Sequence, residues 1–537
     1  MQTGYLYFVE RAVHGMRDIV AGLGDELAVR RPDVPGANTP YGLLTHCLGV
    51  LDYWGGHVVA GRTVERDRDA EFDAVGPVAE LCTRADRALE QLRADIAGVD
   101  WAAAPRNEPD PAFLGPSRRL DQGGVLLHLF EEMAQHHGQM EVVRDLLRIR
   151  DFDDVPLSWL RAKRGVKWQR PGPDLLPAWV AETDFPVAPP VRDALHATIA
   201  RGDLGYPDGP GYPPAAPFAA RMRQRYGWEP DPAHVRPLTD LIQSLQLVLT
   251  LATAPGDGVV AFTPNYPPFL ATIASMGRRL VSAPAVARGE SWTWDLDRLD
   301  ADLRAAGARV LLLVNPHNPT GRMYSRAELT RIAELADRHD LLVVSDEIHA
   351  ELAHAPRRHV PFASLGPSAA ARTVTVTSAA KAFNIAGLRT AVAHVGPEEL
   401  RARWDAQPPD LHGKVNVLGV EATLAAWASG DPWLRTLNGH LLRQRDHLVS
   451  RMADLPGLRL RAPDAGYLAW IDCTAADLPE SPVDWFRRHA GVELSAGADF
   501  GPGHEAFVRL NFATTTAVLD RILDAMAAAL SDRSGTH

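Results

Sequence analysis

The sequence predicts a multidomain protein, in which an all-α four-helix bundle precedes an α/β domain with a large parallel sheet and a small C-terminal domain. Its 537 residues exceed what one hydrophobic core usually serves. Residues 1–150 place apolar side chains at helical spacing, whereas later residues alternate helices with short, continuous apolar strands. We therefore expect two domains, at 1–150 and 151–537.

The first domain has helical patterning in four segments, at residues 5–23, 40–60, 75–96 and 123–147. Four such segments joined by loops rich in proline, glycine and aspartate are typical of an up-and-down bundle. The proline-rich segment 101–121 is long for a connection inside a bundle. We expect it to be a crossover or a binding loop.

Two of these helices carry side chains that suit a metal ion. Glu132 and His136 are four residues apart and share one helix face, and His46 can reach them from a facing helix. Three protein ligands leave a coordination position open for a bound water or thiol. His128, one turn earlier, is a competing ligand or a neighbour of the site. The alternative is a set of partly buried bundle histidines beside a salt-bridging glutamate.

A reactive lysine is predicted where the second domain's sheet meets a loop. The chain has four lysines, and Lys381 alone follows an apolar strand and small residues and precedes a Gly-Leu-Arg sequence. Small neighbours let a flat cofactor approach, while Ser378 and Arg389 can bind its phosphate. This setting indicates a lysine that bonds covalently to pyridoxal 5'-phosphate (PLP). The alternative is a surface lysine in a loop.

Two further apolar strands also end in polar residues. Asn318 follows the strand at 310–314, and Asp346 ends the strand at 341–345. Ligands bind at the carboxyl ends of parallel strands, so both side chains are expected in one site. There Asp346 can pair with a protonated pyridine nitrogen, and Asn318 can donate to the ring's 3-oxygen. Taken singly, Asp346 could instead cap a helix and Asn318 could be a turn residue.

Residues from about 151 to 537 resemble the fold type I PLP enzymes of the aminotransferase class I/II superfamily, and within it the cystathionine β-lyase-like C-S lyases. The resemblance lies in Lys167-Trp168 and in the segments 176–185, 266–269, 346–349 and 507–513. It implies that Tyr266 stacks on the pyridine ring and that Arg509 binds the substrate α-carboxylate. It also implies a homodimer in which Tyr206 reaches the phosphate of the neighbouring subunit.

The same resemblance draws attention to two departures. Most relatives have a glycine at the turn before the phosphate-binding helix, where this chain has Thr239 and Asp240. An acid beside a phosphate is unfavourable, so we expect the backbone amide of Asp240 to serve while its carboxylate turns away and caps the helix. His349 stands where many transaminases have tyrosine, which favours a lyase.

Residues 1–150 resemble the DinB-like bundle superfamily, specifically its thiol-dependent S-transferases and isomerases. The resemblance rests on the helix that contains His46 and on the motif at residues 132–139. It implies a divalent metal, zinc, held by His46, Glu132 and His136, and a low-molecular-weight thiol as substrate. Some members have histidine at the position of Glu132, so the identity of the metal stays open.

Together these features predict a bifunctional sulfur-transfer enzyme that acts on small molecules. The PLP domain would eliminate a thiol from a cysteine S-conjugate, and the bundle would form such conjugates on its metal. One alternative is an aminotransferase whose bundle serves docking or oligomerisation. The other is a regulatory protein with a degenerate PLP domain, which the complete residue set disfavours.

The composition is that of an ordinary globular protein, with 46% apolar and 23% charged residues. A net charge of -11 argues against a nucleic acid or an anionic membrane as partner. Three scattered cysteines give no disulfide framework and suit a reducing compartment. The sequence has no secretory signal pattern and no apolar run approaching about 18 residues. We therefore expect a cytoplasmic protein.

Overall fold

The computed structural model describes residues 2–32, 36–113, 115–116, 118–148, 152–207, 212, 214–408 and 414–534. Contacts between residues divide the chain into two compact units, Met1–Arg150 and Asp151–His537. Among the described residues, no helix combines the length and the apolarity that crossing a membrane requires.

The first unit is a helical bundle, and the helices predicted for it are all present. Its α-helices are α1 (Gln2–Ala28), α2 (Pro40–Val50), α3 (Arg68–Phe72), α4 (Val78–Ile96) and α5 (Gln122–Arg148). From Leu51 to Val59 the second predicted helix continues as a π-helix. Helix α3 was not predicted, because five residues are too few to show a helical period.

Local sequence explains how the bundle helices begin and how they pack. Thr39 caps α2, accepting a hydrogen bond from the Gly42 amide at 2.9 Å, and Pro40 occupies the first helical turn. Helix α4 buries a stripe spaced by three or four residues, consisting of Leu81, Ala85, Leu89, Leu92 and Ile96. This stripe belongs to one apolar cluster with side chains of α1, α2 and α5.

The second unit alternates helices and strands, as predicted. Its helices are α6 (Leu157–Arg161), α7 (Val166–Gln169), α8 (Pro189–Arg201), α9 (Ala215–Tyr226), α10 (Leu241–Ala252), α11 (Pro267–Ser275), α12 (Leu296–Ala306), α13 (Arg326–Arg338), α14 (Pro367–Ala371), α15 (Glu398–Asp405), α16 (Val417–Ser429), α17 (Asp431–Arg451), α18 (Pro482–Trp485) and α19 (Thr516–Ser534). Its strands are β1 (Leu176–Pro177), β2 (Val235–Leu238), β3 (Gly258–Thr263), β4 (Arg279–Arg288), β5 (Ser291–Trp294), β6 (Ala308–Val314), β7 (Leu342–Asp346), β8 (Thr373–Thr377), β9 (Ala391–Val395), β10 (Arg459–Leu460), β11 (Leu468–Asp472), β12 (Val492–Glu493), β13 (Ser495–Ala496) and β14 (Phe507–Asn511).

The large sheet has eight strands in the order β2-β9-β8-β7-β6-β3-β4-β5. The central strands, which lie in the order β8-β7-β6-β3-β4, are parallel as predicted. Strands β2, β9 and β5 pair antiparallel with their neighbours and make the sheet mixed. At β9 the chain returns from β8 through a loop instead of the crossover that parallel pairing needs. At β5 a tight turn at Gly289, with φ of 55°, makes a hairpin.

The central strands are apolar on both faces because helices cover the sheet on both sides. In β6, the side chains from Val310 to Val314 are at most 1% exposed. A smaller antiparallel sheet, in the order β10-β11-β14-β13, forms the C-terminal part together with α17 and α19. Strand β14 carries Arg509.

Candidate functional sites

Three neighbouring strands bring polar residues to the same edge of the large sheet. Val314 at the end of β6 pairs with Asp346 at the end of β7, and Asp346 pairs with Val376 near the end of β8. The loops that carry Asn318 and Lys381 therefore leave the sheet beside Asp346. The order of these residues along the chain does not show that they are adjacent. The pattern of apolar strands that end in polar residues does predict it.

Lys381 lies in a turn after β8 and is partly buried. Its Nζ donates a hydrogen bond to the backbone oxygen of Ala181 at 2.8 Å. Burial, followed by the positive charge of Arg509, lowers the pKa of Lys381 to about 8. About a tenth of the amine is therefore neutral, and so nucleophilic, at pH 7, far more than for an ordinary lysine.

Asp346 is 5% exposed, and burial raises its pKa to about 7. The Ile348 amide donates to one carboxylate oxygen at 3.0 Å. Within the described part of the chain, no lysine, arginine or histidine forms an ion pair with this carboxylate. A buried carboxylate without a cation fits a cofactor that brings a protonated ring nitrogen, so the site suits PLP.

Arg509 is held by several groups at once. Its Nη1 donates to Asn318 Oδ1 at 3.0 Å, and its Nη2 donates to the Trp179 oxygen at 2.9 Å and to Ser495 Oγ at 3.2 Å. The guanidinium carbon lies 4.9 Å from the centre of the Phe500 ring. Burial lowers the pKa of Arg509 to about 10, and its Nε has no partner among the described residues. A substrate carboxylate would supply the missing partner.

Of the predicted phosphate-binding residues, Asp240 and Arg389 contact each other, whereas Ser378 is bound within its own loop region. Ser378 Oγ donates to the Thr390 oxygen at 2.6 Å and accepts from the Ala380 amide at 3.0 Å. Asp240 caps α10 as expected, because its Oδ1 accepts from the Gln243 amide at 2.9 Å. Its other oxygen, however, forms an ion pair with Arg389. The carboxylate thus caps the helix and also pairs with Arg389, because a second oxygen remains after capping and Arg389 is within reach.

Thr239 precedes this cap and is tied to the same helix. Its amide donates to Gln243 Oε1 at 3.0 Å, and its hydroxyl lies 3.3 Å from the same oxygen. The amide and the hydroxyl of Thr239 therefore both have a hydrogen-bond partner within α10, the Gln243 side chain. A bound phosphate would have to compete with the Gln243 side chain for the Thr239 amide.

The remaining predicted cofactor residues differ in exposure. Tyr266 immediately precedes α11 and is partly buried, and burial raises the pKa of its hydroxyl. His349 is 5% exposed, its Nδ1 has no partner among the described residues, and burial lowers its pKa to about 3, so it is neutral. Tyr206 is 88% exposed, with Lys414 Nζ 5.2 Å from its ring centre.

One neighbour of Lys381 was missed by sequence reasoning. The hydroxyl of Tyr467 donates to the backbone oxygen of Ala181 at 3.1 Å, the oxygen that also accepts from Lys381. Tyr467 is fully buried and immediately precedes β11. Nothing in its sequence surroundings signals this contact, because the acceptor is a backbone atom that every residue possesses.

The bundle brings its three predicted ligands together. One ligand atom each from His46, Glu132 and His136 lies within 4.8 Å of the others. The Glu132 oxygen is 4.0 Å from His46 Nε2 and 3.6 Å from His136 Nε2. These donors fit a divalent ion such as zinc, which imidazole and carboxylate ligands bind. His128 is not part of the group, since its ring packs edge-on against Trp54.

Sequence reasoning also missed the residues behind this group. His46 Nδ1 lies 2.8 Å from Glu71 Oε2, and Arg66 holds the same carboxylate. Burial favours the neutral form of Glu71, but the hydrogen bonds from His46 and Arg66 outweigh it, and the pKa of Glu71 is lowered. Burial also lowers the pKa of His46, so the imidazole is neutral, the form that binds metal.

The arrangement around Lys381 defines a class: the second unit is a PLP-dependent enzyme of fold type I. Comparison with known protein families shows which family of these enzymes the second unit belongs to. Residues 181–526 match the model of the aminotransferase class I and II family, and residues 6–148 match that of the mycothiol-S-transferase family. The chain belongs to the aminotransferase class I and II family and carries an N-terminal mycothiol-S-transferase (DinB-like) domain.

Individual relatives narrow the branch further. A Mycobacterium tuberculosis protein assigned as a cystathionine β-lyase is 36% identical over 413 residues, which span 71% of this chain and 98% of that protein. Cystathionine β-lyase PatB of Bacillus subtilis is 33% identical over 377 residues, spanning 68% and 97%. The PLP-bound C-S lyase of Staphylococcus hominis has a TM-score of 0.67 and 28% identity, covering 71% and 99%. The second unit therefore belongs among the PLP-dependent carbon-sulfur lyases.

Proposed function

We propose that the C-terminal domain cleaves the Cβ–S bond of a cysteine S-conjugate and releases a thiol, pyruvate and ammonia. The observation that carries this proposal is the partly buried Lys381 amine, which donates to the Ala181 oxygen at 2.8 Å and whose pKa is lowered to about 8 by burial and by the charge of Arg509. When bound, PLP supplies an electron sink that stabilises negative charge at the substrate Cα. The residues around it supply binding, orientation and proton transfer.

Each residue has a separate task in this proposal. Arg509 binds the substrate carboxylate with a planar donor that the Phe500 ring and the Trp179 oxygen keep in place. When PLP is bound, Asp346 would pair with its ring nitrogen and Asn318 would donate to its ring oxygen. Lys381 Nζ takes the proton from the substrate Cα, and the sulfur then leaves Cβ as a thiolate with the bonding electrons. Water supplies the oxygen of pyruvate.

We further propose that His46, Glu132 and His136 bind a divalent metal, zinc, which activates a low-molecular-weight thiol. Support comes from the three ligand atoms within 4.8 Å and from the mycothiol-S-transferase match. A thiol in the open coordination position would lose its proton to water and attack an electrophilic carbon, forming a C–S bond while the leaving group of that carbon departs with its bonding electrons. The conjugate could then pass to the lyase, leaving the sulfur on the acceptor. Because the PLP reaction needs a free α-amine, that conjugate must carry an unacylated cysteine.

The lyase is tested with purified protein and a cysteine S-conjugate as the sole substrate. We expect equal amounts of pyruvate and free thiol, with no 2-oxo acid required, and no product from Lys381→Ala. Lys163→Ala is the matched control. Lys163 is also partly buried, and it also donates to a backbone oxygen, in this case that of Asp184. Amino transfer to an added 2-oxo acid without pyruvate release would instead support the aminotransferase alternative.

The bundle is tested by metal analysis of the same protein. We expect one equivalent of divalent metal in the wild type and its loss in His136→Ala, with lyase activity on a supplied conjugate unchanged. His128→Ala, on the same helix but outside the three-residue group, should keep the metal. Wild-type protein that takes up no zinc would contradict the metal proposal and leave the lyase proposal intact.

A further inference from the structure

A carboxylate stands behind one of the proposed metal ligands. His46 Nδ1 lies 2.8 Å from Glu71 Oε2, whereas His46 Nε2 faces Glu132. An ionised carboxylate can only accept a hydrogen bond, so His46 Nδ1 carries the proton and Nε2 carries the lone pair. This is the tautomer in which the lone pair points towards Glu132 and His136.

Arg66 fixes the carboxylate in turn. Its Nε lies 2.8 Å from Glu71 Oε1 and its Nη2 lies 2.9 Å from Glu71 Oε2, a two-point contact between side chains that are 3% and 10% exposed. Arg66 Nη2 also approaches His46 Nδ1 to 3.3 Å, but both atoms are donors when Nδ1 is protonated. The carboxylate therefore accepts from both and holds them together.

The surrounding backbone is shaped to admit this carboxylate. A Cβ atom placed on Gly49 of α2 would lie 1.9 Å from Glu71 Oε1, so any larger residue at position 49 would displace Glu71. The next residue, Phe72, stacks on the His46 ring with 4.4 Å between ring centres. Helix α3 thus holds the His46 ring at its edge through Glu71 and at its face through Phe72.

We propose that Glu71 is a positioning residue, which fixes the tautomer and the orientation of His46 so that Nε2 points into the metal site. The inference rests on the metal site proposed above and extends it beyond the three ligands. Carboxylates that orient metal-binding histidines typically raise metal affinity by about 10–100-fold. Glu71 acts through His46 and does not itself reach the metal.

The test compares zinc affinity of the full-length protein and its variants by competition with a chromophoric chelator. We expect Glu71→Ala to weaken zinc binding by about 10–100-fold. Glu71→Gln should weaken it less, because the amide oxygen can still accept from His46 Nδ1. Asp69→Asn, which changes the same charge on an exposed position of α3, should leave affinity unchanged.

A second readout separates positioning from a structural role. In metal-free protein labelled with ¹⁵N-histidine, the His46 signals should report Nδ1–H in the wild type and a mixture of tautomers in Glu71→Ala. Should Glu71→Ala fail to fold, Gly49→Ala takes its place, because it displaces the carboxylate without removing it. If zinc binds but its affinity and the His46 tautomer are the same in all variants, the role assigned to Glu71 is wrong. If wild-type protein binds no zinc, the metal site and this assignment fall together.

Discussion

The pKa of Lys381 predicts how fast the cofactor attaches. Only the neutral amine reacts with the PLP aldehyde, and burial brings the pKa of Lys381 down to about 8. The attachment rate of cofactor-free protein should therefore rise about tenfold per pH unit below pH 8 and level off above it. Absorbance during reconstitution between pH 6 and pH 10 measures this rate. A rise that continues to pH 10 would show an ordinary lysine.

The raised pKa of Asp346 leads to a prediction about the stability of the folded protein. Its pKa of about 7 in the folded protein exceeds its ordinary value of 3.8, so folding opposes ionisation. The loss of folding stability from ionised Asp346 is absent at low pH, where the residue is protonated in both the folded and the unfolded protein. This loss grows from about pH 4 to pH 7 and stays constant at higher pH. Asp346→Asn should thus stabilise cofactor-free protein at pH 8 by up to about 4 kcal/mol, and little at pH 4.

Thermal unfolding of cofactor-free Asp346→Asn and wild type at pH 4 and pH 8 checks this expectation. The same variant should bind PLP more weakly, because the amide cannot neutralise the ring nitrogen. Ser345→Ala is a suitable control, since Ser345 is buried on the same strand and donates to Glu347. A variant that loses stability at pH 8 would mean that Asp346 is paired in the cofactor-free protein.

At the scale of elements, the start of α10 combines helix capping with an expected role in phosphate binding. Asp240 caps the helix and also forms an ion pair with Arg389, the residue expected to bind phosphate. Asparagine caps helices about as well as aspartate, so Asp240→Asn should keep α10 intact and release Arg389. We expect PLP affinity to rise by about twofold to fivefold, since exposed ion pairs contribute at most about 1 kcal/mol.

Equilibrium titration of cofactor-free Asp240→Asn with PLP measures this change. Asp231→Asn is the matched control, because Asp231 caps a short turn away from the site by accepting from the Ala233 amide. Raising the salt concentration should narrow the difference between Asp240→Asn and wild type. Weaker PLP binding by Asp240→Asn would mean that the carboxylate assists the cofactor.

Sequence reasoning succeeded for elements whose own pattern carries the signal. The bundle helices and the strands β6, β7 and β8 have clear periodicity or continuous apolar runs, and their polar ends carry Asn318, Asp346 and Lys381. It failed where the information is three-dimensional. The antiparallel edges of the sheet depend on the path of connecting loops, and the Glu71–His46 contact joins residues 25 positions apart through a five-residue helix.

At the scale of the whole molecule, the exposure of Tyr206 agrees with a proposed role in a second subunit. A side chain that is 88% exposed in one chain can reach a neighbour. If Tyr206 of the partner subunit completes each site, mixed dimers of Tyr206→Ala and Lys381→Ala contain one intact site. Each variant by itself should have little lyase activity. We expect activity to return when the two variants are mixed, unfolded and refolded so that they exchange subunits.

Two controls make this complementation decisive. Refolding each variant alone should restore nothing, and mixing Lys381→Ala with Arg509→Ala should also restore nothing, because both residues lie in one chain's site. Mixed dimers without recovered activity would show that Tyr206 serves its own subunit. Sedimentation at the assay concentration verifies that dimers are present in every sample.

The shared oxygen of Ala181 has a consequence for how the lyase site tolerates variation. The side chains of Lys381 and Tyr467 both donate to a main-chain oxygen that no substitution at position 181 can delete. Random mutagenesis would thus find position 181 permissive for small residues. Inserting or deleting a residue in the preceding segment would shift that atom and disable the site. A contact that tolerates substitution at position 181 is therefore sensitive to changes in the length of the chain.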